Sequence, residues 1–225
     1  MLVFVVIAIA AYLLGSIPTG YLVARAKGID IRAVGSGNIG ATNAMRVLGR
    51  PAGIFVLVMD ALKGYAACAF VTPLIFNLLA PHLSGIVVYF HQEPMELQTR
   101  YFVIAGISAV LGHNFTCWLK FKGGKGIATT GGVYLAIAPL AVGIATAAFA
   151  LAVLVTRYVS IGSIAAAIAL PTAVWCLQTD SRFLGLVTTA LGVMAIYKHR
   201  SNIRRLMAGT ESRIGQKSAT PEATK

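Results

Sequence analysis

The chain has 225 residues, of which 57% are hydrophobic and only 12% charged, and its mean hydropathy is +0.78. Soluble domains carry roughly 25% charged residues, so this composition excludes an ordinary soluble domain and points to an integral membrane protein. The net charge of +12 would suggest nucleic acid in a soluble chain, but here the charges cluster between apolar runs with no aromatic-interleaved basic platform, which argues against nucleic acid as a partner.

In chain order, Leu2–Ala24 carries no charged residue. At ~1.5 Å per residue it reaches about 34 Å, enough for a bilayer core of about 30 Å. No basic segment precedes it and it is too long for a signal-peptide core, so cleavage is not expected. The linker 25–50 holds five Arg/Lys and one Asp. A second span covers about 53–78 and contains Asp60 and Lys63, one turn apart. The polar loop 81–100 has one Arg against two Glu, and a third span follows at 101–119. Three lysines lie within 120–125.

Thr129–Thr156 decides the topology. Read as one helix, it would leave the basic segment 198–225, with seven Arg/Lys and two Glu, on the face opposite the other basic loops. Basic loops share the cytoplasmic side. Pro139 and Gly143 supply a break, dividing the stretch into about 126–138 and 139–156. With spans at 161–178 and 183–197, the expected fold is an all-α polytopic bundle of seven transmembrane helices, N-terminus outside and C-terminus cytoplasmic, with five or six spans as the alternatives. The helix from Gly126 is too short to cross unless the loop KFKGGKG before it is recessed, and irregular backbone at that depth is tolerated where it lines a cavity. Residues 1–215 are expected to form one transmembrane domain, and 216–225 a disordered tail. Cys68, Cys117 and Cys176 form no C-x-x-C pair and read as buried small hydrophobes.

Three polar segments carry the chemistry. Gly35, Gly37 and Gly40 spell G-x-G-x-x-G, but a membrane helix and a basic linker precede them instead of a strand, so a dinucleotide fold is excluded. The same small residues could close backbone amides around an anion, with Ser36, Asn38, Thr42 and Asn43 adding donors and Arg32 and Arg46 flanking; the alternative is a flexible polar loop. The second segment, GHNFTCWLKFKGGKGIATTGG, fails the Walker pattern at Leu119 and Gly126, so no NTPase is implied. Gly123, Gly124 and Gly126 around Lys125 at a helix start still suit a phosphate. His113 is either structural or a base; no aspartate follows it at the His-x4-Asp spacing. The third segment is KHRSNIRRLMAGTES. Lys198, Arg200 and Arg205 read as a positive flank, His199 and Asn202 share a helical face, Arg204 joins them and Glu211 anchors the tail. Asp60 and Lys63 are either a neutralising pair or a substrate contact. No cofactor or metal is expected. His82 and His91 receive no role.

Such a set fits a lipid-phosphate transferase or a membrane transporter of phosphate-bearing small molecules; a non-enzymatic headgroup receptor is a further alternative. The three motifs GSGNIGATNAMR, GHNFTCWLKFKGGKGIAT and KHRSNIRRLMAGTES, with the Asp60–Gly64 D-x-x-K-G, resemble those of the bacterial membrane acyl-phosphate:glycerol-3-phosphate acyltransferases, the PlsY family. The resemblance runs to about Gly215. It departs at Thr116, where the family often has proline, and in the longer loop 81–100. It implies acyl transfer from acyl phosphate to the 1-hydroxyl of glycerol 3-phosphate, giving lysophosphatidic acid and phosphate for phospholipid synthesis. The implied location is the bacterial inner membrane, with a cytoplasm-facing site and functional coupling to a soluble acyl-phosphate-producing enzyme. Carried over, Gly35, Ser36, Gly37, Asn38, Gly40, Thr42 and Asn43 hold the acyl phosphate's phosphoryl group. Arg46 and Lys125 pair with phosphate, foremost that of glycerol 3-phosphate, which His199 and Asn202 position, and Gly123, Gly124, Gly126, Thr129 and Arg204 are further substrate-binding residues. His113 is counted among the substrate-binding residues, with an organisational role. Ser36, Lys125, His199 and Asn202 act by positioning and electrostatics, without a protein base.

Overall fold

The computed structural model describes residues 1–84, 89–178 and 181–215; the expected tail 216–225 lies outside the described residues. Among these the secondary structure is entirely helical. The first apolar run divides into α1 (Leu2–Ser16) and α2 (Thr19–Arg25). Pro18 has no N–H to continue the ladder, and the carbonyls freed at the break find other partners: Thr116 Oγ1 donates to Ser16 O at 2.6 Å and Lys63 Nζ to Ile17 O at 3.0 Å.

The glycine-rich loop ends in the short helix α3 (Ala41–Leu48), and α4 (Arg50–Ala66) begins the second apolar run. This run is longer than the expected 53–78. Pro73 would crowd the carbonyl one turn back, and the chain widens into a π turn at Ala67–Val71 instead of breaking, with Thr72 Oγ1 taking the Ala67 carbonyl at 2.8 Å. It then continues as α5 (Thr72–Ser84). Next come α6 (Met95–Asn114), α7 (Ile127–Ile137), α8 (Pro139–Thr156), α9 (Val159–Leu177), α10 (Arg182–Lys198) and α11 (Arg200–Met207). The expected break falls at Ala138–Pro139, where proline takes the first position of α8 and its missing N–H costs nothing.

Among the described residues, five stretches are long and apolar enough to cross a membrane: Leu2–Arg25, Arg50–His82, Met95–Leu119, Pro139–Thr156 and Val159–Leu177. The helix α7 is apolar but has only 11 residues. Small residues close the helix contacts, as between membrane helices generally. The helices α1 and α6 run parallel: Phe4 stacks on Tyr101 at one end, and Gly15 meets the Ala109 backbone at the other. The pair α4 and α7 is antiparallel, with Gly64 against Thr129 and Gly132 against Ala61. Phe76 and Phe90 complete an aromatic cluster with Tyr101, at the end remote from the basic loops. The cysteine expectation holds for Cys68, which is buried; Cys117 is half-buried and Cys176 is exposed on an apolar helix.

Candidate active site

The three polar segments meet at one end of the bundle. The first loop is held from inside by Asn43 of α3, whose Nδ2 donates to the Ile31 and Val34 carbonyls at 3.2 and 3.1 Å. Its Oδ1 accepts the Ser36 amide at 2.9 Å. Gly35 and Gly37 have φ of +61° and +69°, a region L side chains rarely enter, and a Cβ at Gly35 would strike Asn43 Oδ1. The Gly37 amide donates to Val34 O at 3.1 Å, and the Gly40 amide to Asn38 Oδ1 at 2.8 Å.

The second loop closes the end of α6. A helix leaves its last carbonyls unpaired, and here the Gly124 amide donates to His113 O at 3.0 Å and the Gly123 amide to Asn114 O at 3.2 Å. Lys198 Nζ adds a bond of 2.9 Å to Asn114 O. These glycines therefore do not present an open amide nest. The Ser36, Gly37, Gly40, Gly123 and Gly124 amides are all engaged within the protein, so these five are not free to cradle an anion. These glycines serve close packing and turn geometry, and side chains add further donors.

Those side chains surround a cavity of about 380 Å³. Ser36, Gly37 and Asn38 form one wall and Gly123, Gly124 and Lys125 another. Lys198, Arg200, Ser201, Arg204 and Arg205 close the third side. Lys198, Arg200 and Arg205 were expected only as flanking charge. The turn at His199, between α10 and α11, brings all three to the cavity lining, with Arg200 itself exposed and stacked on Tyr197.

Behind the cavity, Lys125 Nζ donates to Asn202 Oδ1. Asn202 Nδ2 donates to Glu211 Oε1 at 2.7 Å, and Arg205 Nε to Glu211 Oε2 at 2.6 Å. Burial and the nearby Arg205 push Lys125 down to about 8. Burial and the Lys125 charge push His199 down to about 4. His199 is therefore neutral at pH 7, and with Nδ1 donating to Ala195 O at 2.8 Å its Nε2 is left as an acceptor. Burial raises the Glu211 carboxyl, but the Asn202 and Arg205 hydrogen bonds outweigh it and hold the group below its usual range. Glu211 thus anchors the tail as expected.

Of the residues assigned from sequence, Ser36, Gly37, Asn38, Gly123, Gly124, Lys125 and Arg204 line the cavity. Gly35, Gly40, Asn43 and Gly126 shape its loops instead. Thr42 and Arg46 are exposed on α3, with the Arg46 charge close enough to lower Lys125. His113, Thr129, His199 and Asn202 are buried. Thr129 packs on Gly64, so its expected substrate contact gives way to a helix contact. Asn202 spends both its amide groups on protein partners. Sequence spacing also missed the approach of His113 Nδ1 to Asp60 Oδ1, 3.5 Å, because 53 residues of chain (113 − 60) separate them. Among the described residues no group of three or more His, Cys, Asp or Glu could hold a metal ion.

The sequence model of the family described as glycerol-3-phosphate acyltransferase matches residues 5–209. The chain belongs to this family. Relatives named glycerol-3-phosphate acyltransferase include that of Geotalea daltonii, 44% identical over 92% of this chain and 96% of the relative. That of Trichlorobacter lovleyi is 48% identical over 91% and 94%. Two crystal structures of PlsY, an integral membrane glycerol 3-phosphate acyltransferase, share the fold at 35% identity. The glycerol 3-phosphate form superposes with a TM-score of 0.77 over 94% of this chain and 96% of that one. The lysophosphatidic acid form gives 0.71 over 94% and 95%. This acyltransferase-family chain is thus an integral membrane helical protein of the PlsY type, with its basic cavity at one end of the bundle.

Proposed function

We propose that the protein transfers a fatty acyl group from acyl phosphate to the 1-hydroxyl of glycerol 3-phosphate. The observation that carries this reading is the convergence of five cationic side chains, Lys125, Lys198, Arg200, Arg204 and Arg205, with the Ser36 hydroxyl and Asn38 around one cavity. A site of this charge suits two phosphate-bearing ligands, and its position at the end of apolar helices suits an acyl donor that arrives from lipid. The solved relatives described as glycerol 3-phosphate and lysophosphatidic acid forms support the same acceptor and product.

In the reaction, the glycerol 3-phosphate oxygen bonds to the acyl carbon and the bond from that carbon to the phosphate oxygen breaks. The hydroxyl proton passes to the departing phosphate, so the products are lysophosphatidic acid and inorganic phosphate. An acyl phosphate is a mixed anhydride with a good leaving group. Holding two substrates in line and stabilising the developing charges can therefore supply much of the catalysis. Ser36 and Asn38 meet the acyl phosphate; Lys125, with Arg204, meets the glycerol 3-phosphate phosphate. His199 and Asn202 act from behind Lys125, and no protein base is required.

Seven spans, with the N-terminus outside and the cavity facing the cytoplasm of the inner membrane, fit the positive-inside rule and the course of the last helices. Ile214 N donates to Arg157 O at 2.8 Å, which brings the end of α8 to the basic face, and α7 starts from that face just after Lys125. We take residues 1–215 as one functional unit, supplied by a soluble enzyme that makes acyl phosphate. The test is purified protein with palmitoyl phosphate and glycerol 3-phosphate, assayed for released phosphate and lysophosphatidic acid. Turnover supports the reading. Turnover only with acyl-CoA or acyl carrier protein thioesters overturns the donor, and glycerol 3-phosphate counterflow without turnover makes the protein a transporter.

A further inference from the structure

Directly beneath the cavity lies a buried ionic cluster that the acyl-transfer scheme does not use. Lys63 Nζ is 2.9 Å from Asp60 Oδ1, and His113 Nδ1 is 3.5 Å from the same oxygen. All three residues are almost fully buried. Charges among membrane helices are costly and persist where they face partners or a functional site. A pair serving only to neutralise itself would need no further contacts, yet each member here reaches another segment. Lys63 donates to Ile17 O at the α1–α2 break. From that break α2 leads toward the Ser36–Asn38 loop, and Gly20 of α2 packs on the carbonyl of Ile39, the residue just after that loop. His113 caps the opposite wall: its carbonyl holds the Gly124 amide, and its imidazole lies against Gly124 so closely that a Cβ there would collide with the ring.

The cluster therefore ties one element under each wall of the cavity to α4. We infer that Lys63, Asp60 and His113 are positioning residues that set the placement of the Gly123–Lys125 loop relative to the Ser36–Asn38 loop. None of them touches the cavity. Their effect reaches the substrate through Gly124 and Lys125 on one side and through the α1–α2 break on the other. This inference rests on the assignment of glycerol 3-phosphate to Lys125.

The test compares Michaelis constants, which do not depend on the fraction of active enzyme. In full-length protein in detergent, His113→Ala displaces the Gly123–Lys125 loop. It is expected to raise KM for glycerol 3-phosphate about tenfold while KM for palmitoyl phosphate changes less than twofold. His113→Gln, which keeps most of the side-chain bulk and an N–H donor, should recover most of the loss and serves if the alanine variant does not fold. Gly124→Ala should raise the same constant, and His113→Ala/Gly124→Ala should be no worse than His113→Ala alone, because the ring that the new methyl group would strike is gone. The charge-free pair Asp60→Asn/Lys63→Gln should share the selective KM defect. Folded variants with lower melting temperatures but both Michaelis constants unchanged would reduce the cluster to a structural ion pair and overturn the inference. Absence of turnover in the wild-type protein would instead overturn the proposed reaction.

Discussion

Lys125 and Asn202 are joined by a side-chain hydrogen bond across 77 residues of chain. Asn202 passes the connection to Glu211, so the ammonium at the cavity is aimed from behind by the C-terminal segment. The charge itself is under tension, since burial and the nearby Arg205 favour the neutral amine.

This tension predicts an alkaline limb in the pH profile. Lys125 is depressed to about 8, so its charge is full below that pH and lost as pH rises through it. If the ammonium binds the glycerol 3-phosphate phosphate, kcat/KM for that substrate should fall about tenfold per pH unit above about 8. Lys125→Arg should keep its charge and abolish the limb, although the point contact is not reproduced by a planar guanidinium and the rate should drop. Glu211→Gln removes a raising influence on Lys125 and should move the limb to lower pH. A wild-type profile that stays flat a full unit above 8 rules out this role.

His199 makes a separate prediction, about stability in acid. Its folded-state value is about 4 against an ordinary 6.5, so between these values the unfolded chain binds a proton that the folded chain refuses. Stability is complete above about 6.5 and is lost as pH falls toward 4, by on the order of 3 kcal/mol for this group. His199→Asn should flatten that part of the curve. Thermal melts in detergent across the acid range measure it, and parallel wild-type and variant curves would count against a buried neutral imidazole.

Much of the architecture was legible because membrane physics writes it in long apolar runs and in proline. The division of α7 from α8 followed from Pro139 and charge parity. The three site segments were found because lysine, arginine and small polar residues are conspicuous between such runs. The use made of the glycines was not legible. A free amide and an amide capping a helix look identical in GSGNIG or KGGKG, and only the α6 end beside Gly123 and Gly124 distinguishes them. The place of Lys198, Arg200 and Arg205 at the cavity is hidden for a related reason: a flanking charge and a cavity cation share the same sequence, and only the turn at His199 brings these three to the lining. The Asp60–Lys63 pair could be read from its one-turn spacing, but its third member, His113, arrives from a different helix.

Thr116 shows a local departure with a structural use. Its hydroxyl donates to the Ser16 carbonyl at 2.6 Å, next to the Pro18 break, and Thr116 is almost fully buried. Thr116→Val keeps the shape and leaves that carbonyl unpaired, which should cost about 1–2 kcal/mol. Melting temperature in detergent should fall, while KM for both substrates should stay near wild type. An unchanged melting temperature would mean that the bond contributes nothing net.

Two glycines in neighbouring helices should respond to alanine with opposite signs. Gly132 of α7 packs so close to the Ala61 carbonyl of α4 that a Cβ would overlap it, whereas Gly143 of α8 has nothing within 4 Å of that position. Gly132→Ala must push α4 and α7 apart, at a cost of about 1–3 kcal/mol for overpacking. Because α7 begins just after Lys125, activity should fall along with the melting temperature. Gly143→Ala adds a methyl group into open space on a helix and restricts the unfolded chain, so it should be neutral or stabilising by up to about 1 kcal/mol. Melting both variants in one detergent removes the solvent as a variable. A tolerated Gly132→Ala would mean that the α4–α7 contact is looser than its geometry implies, and a destabilising Gly143→Ala would mean that a partner covers that face of α8.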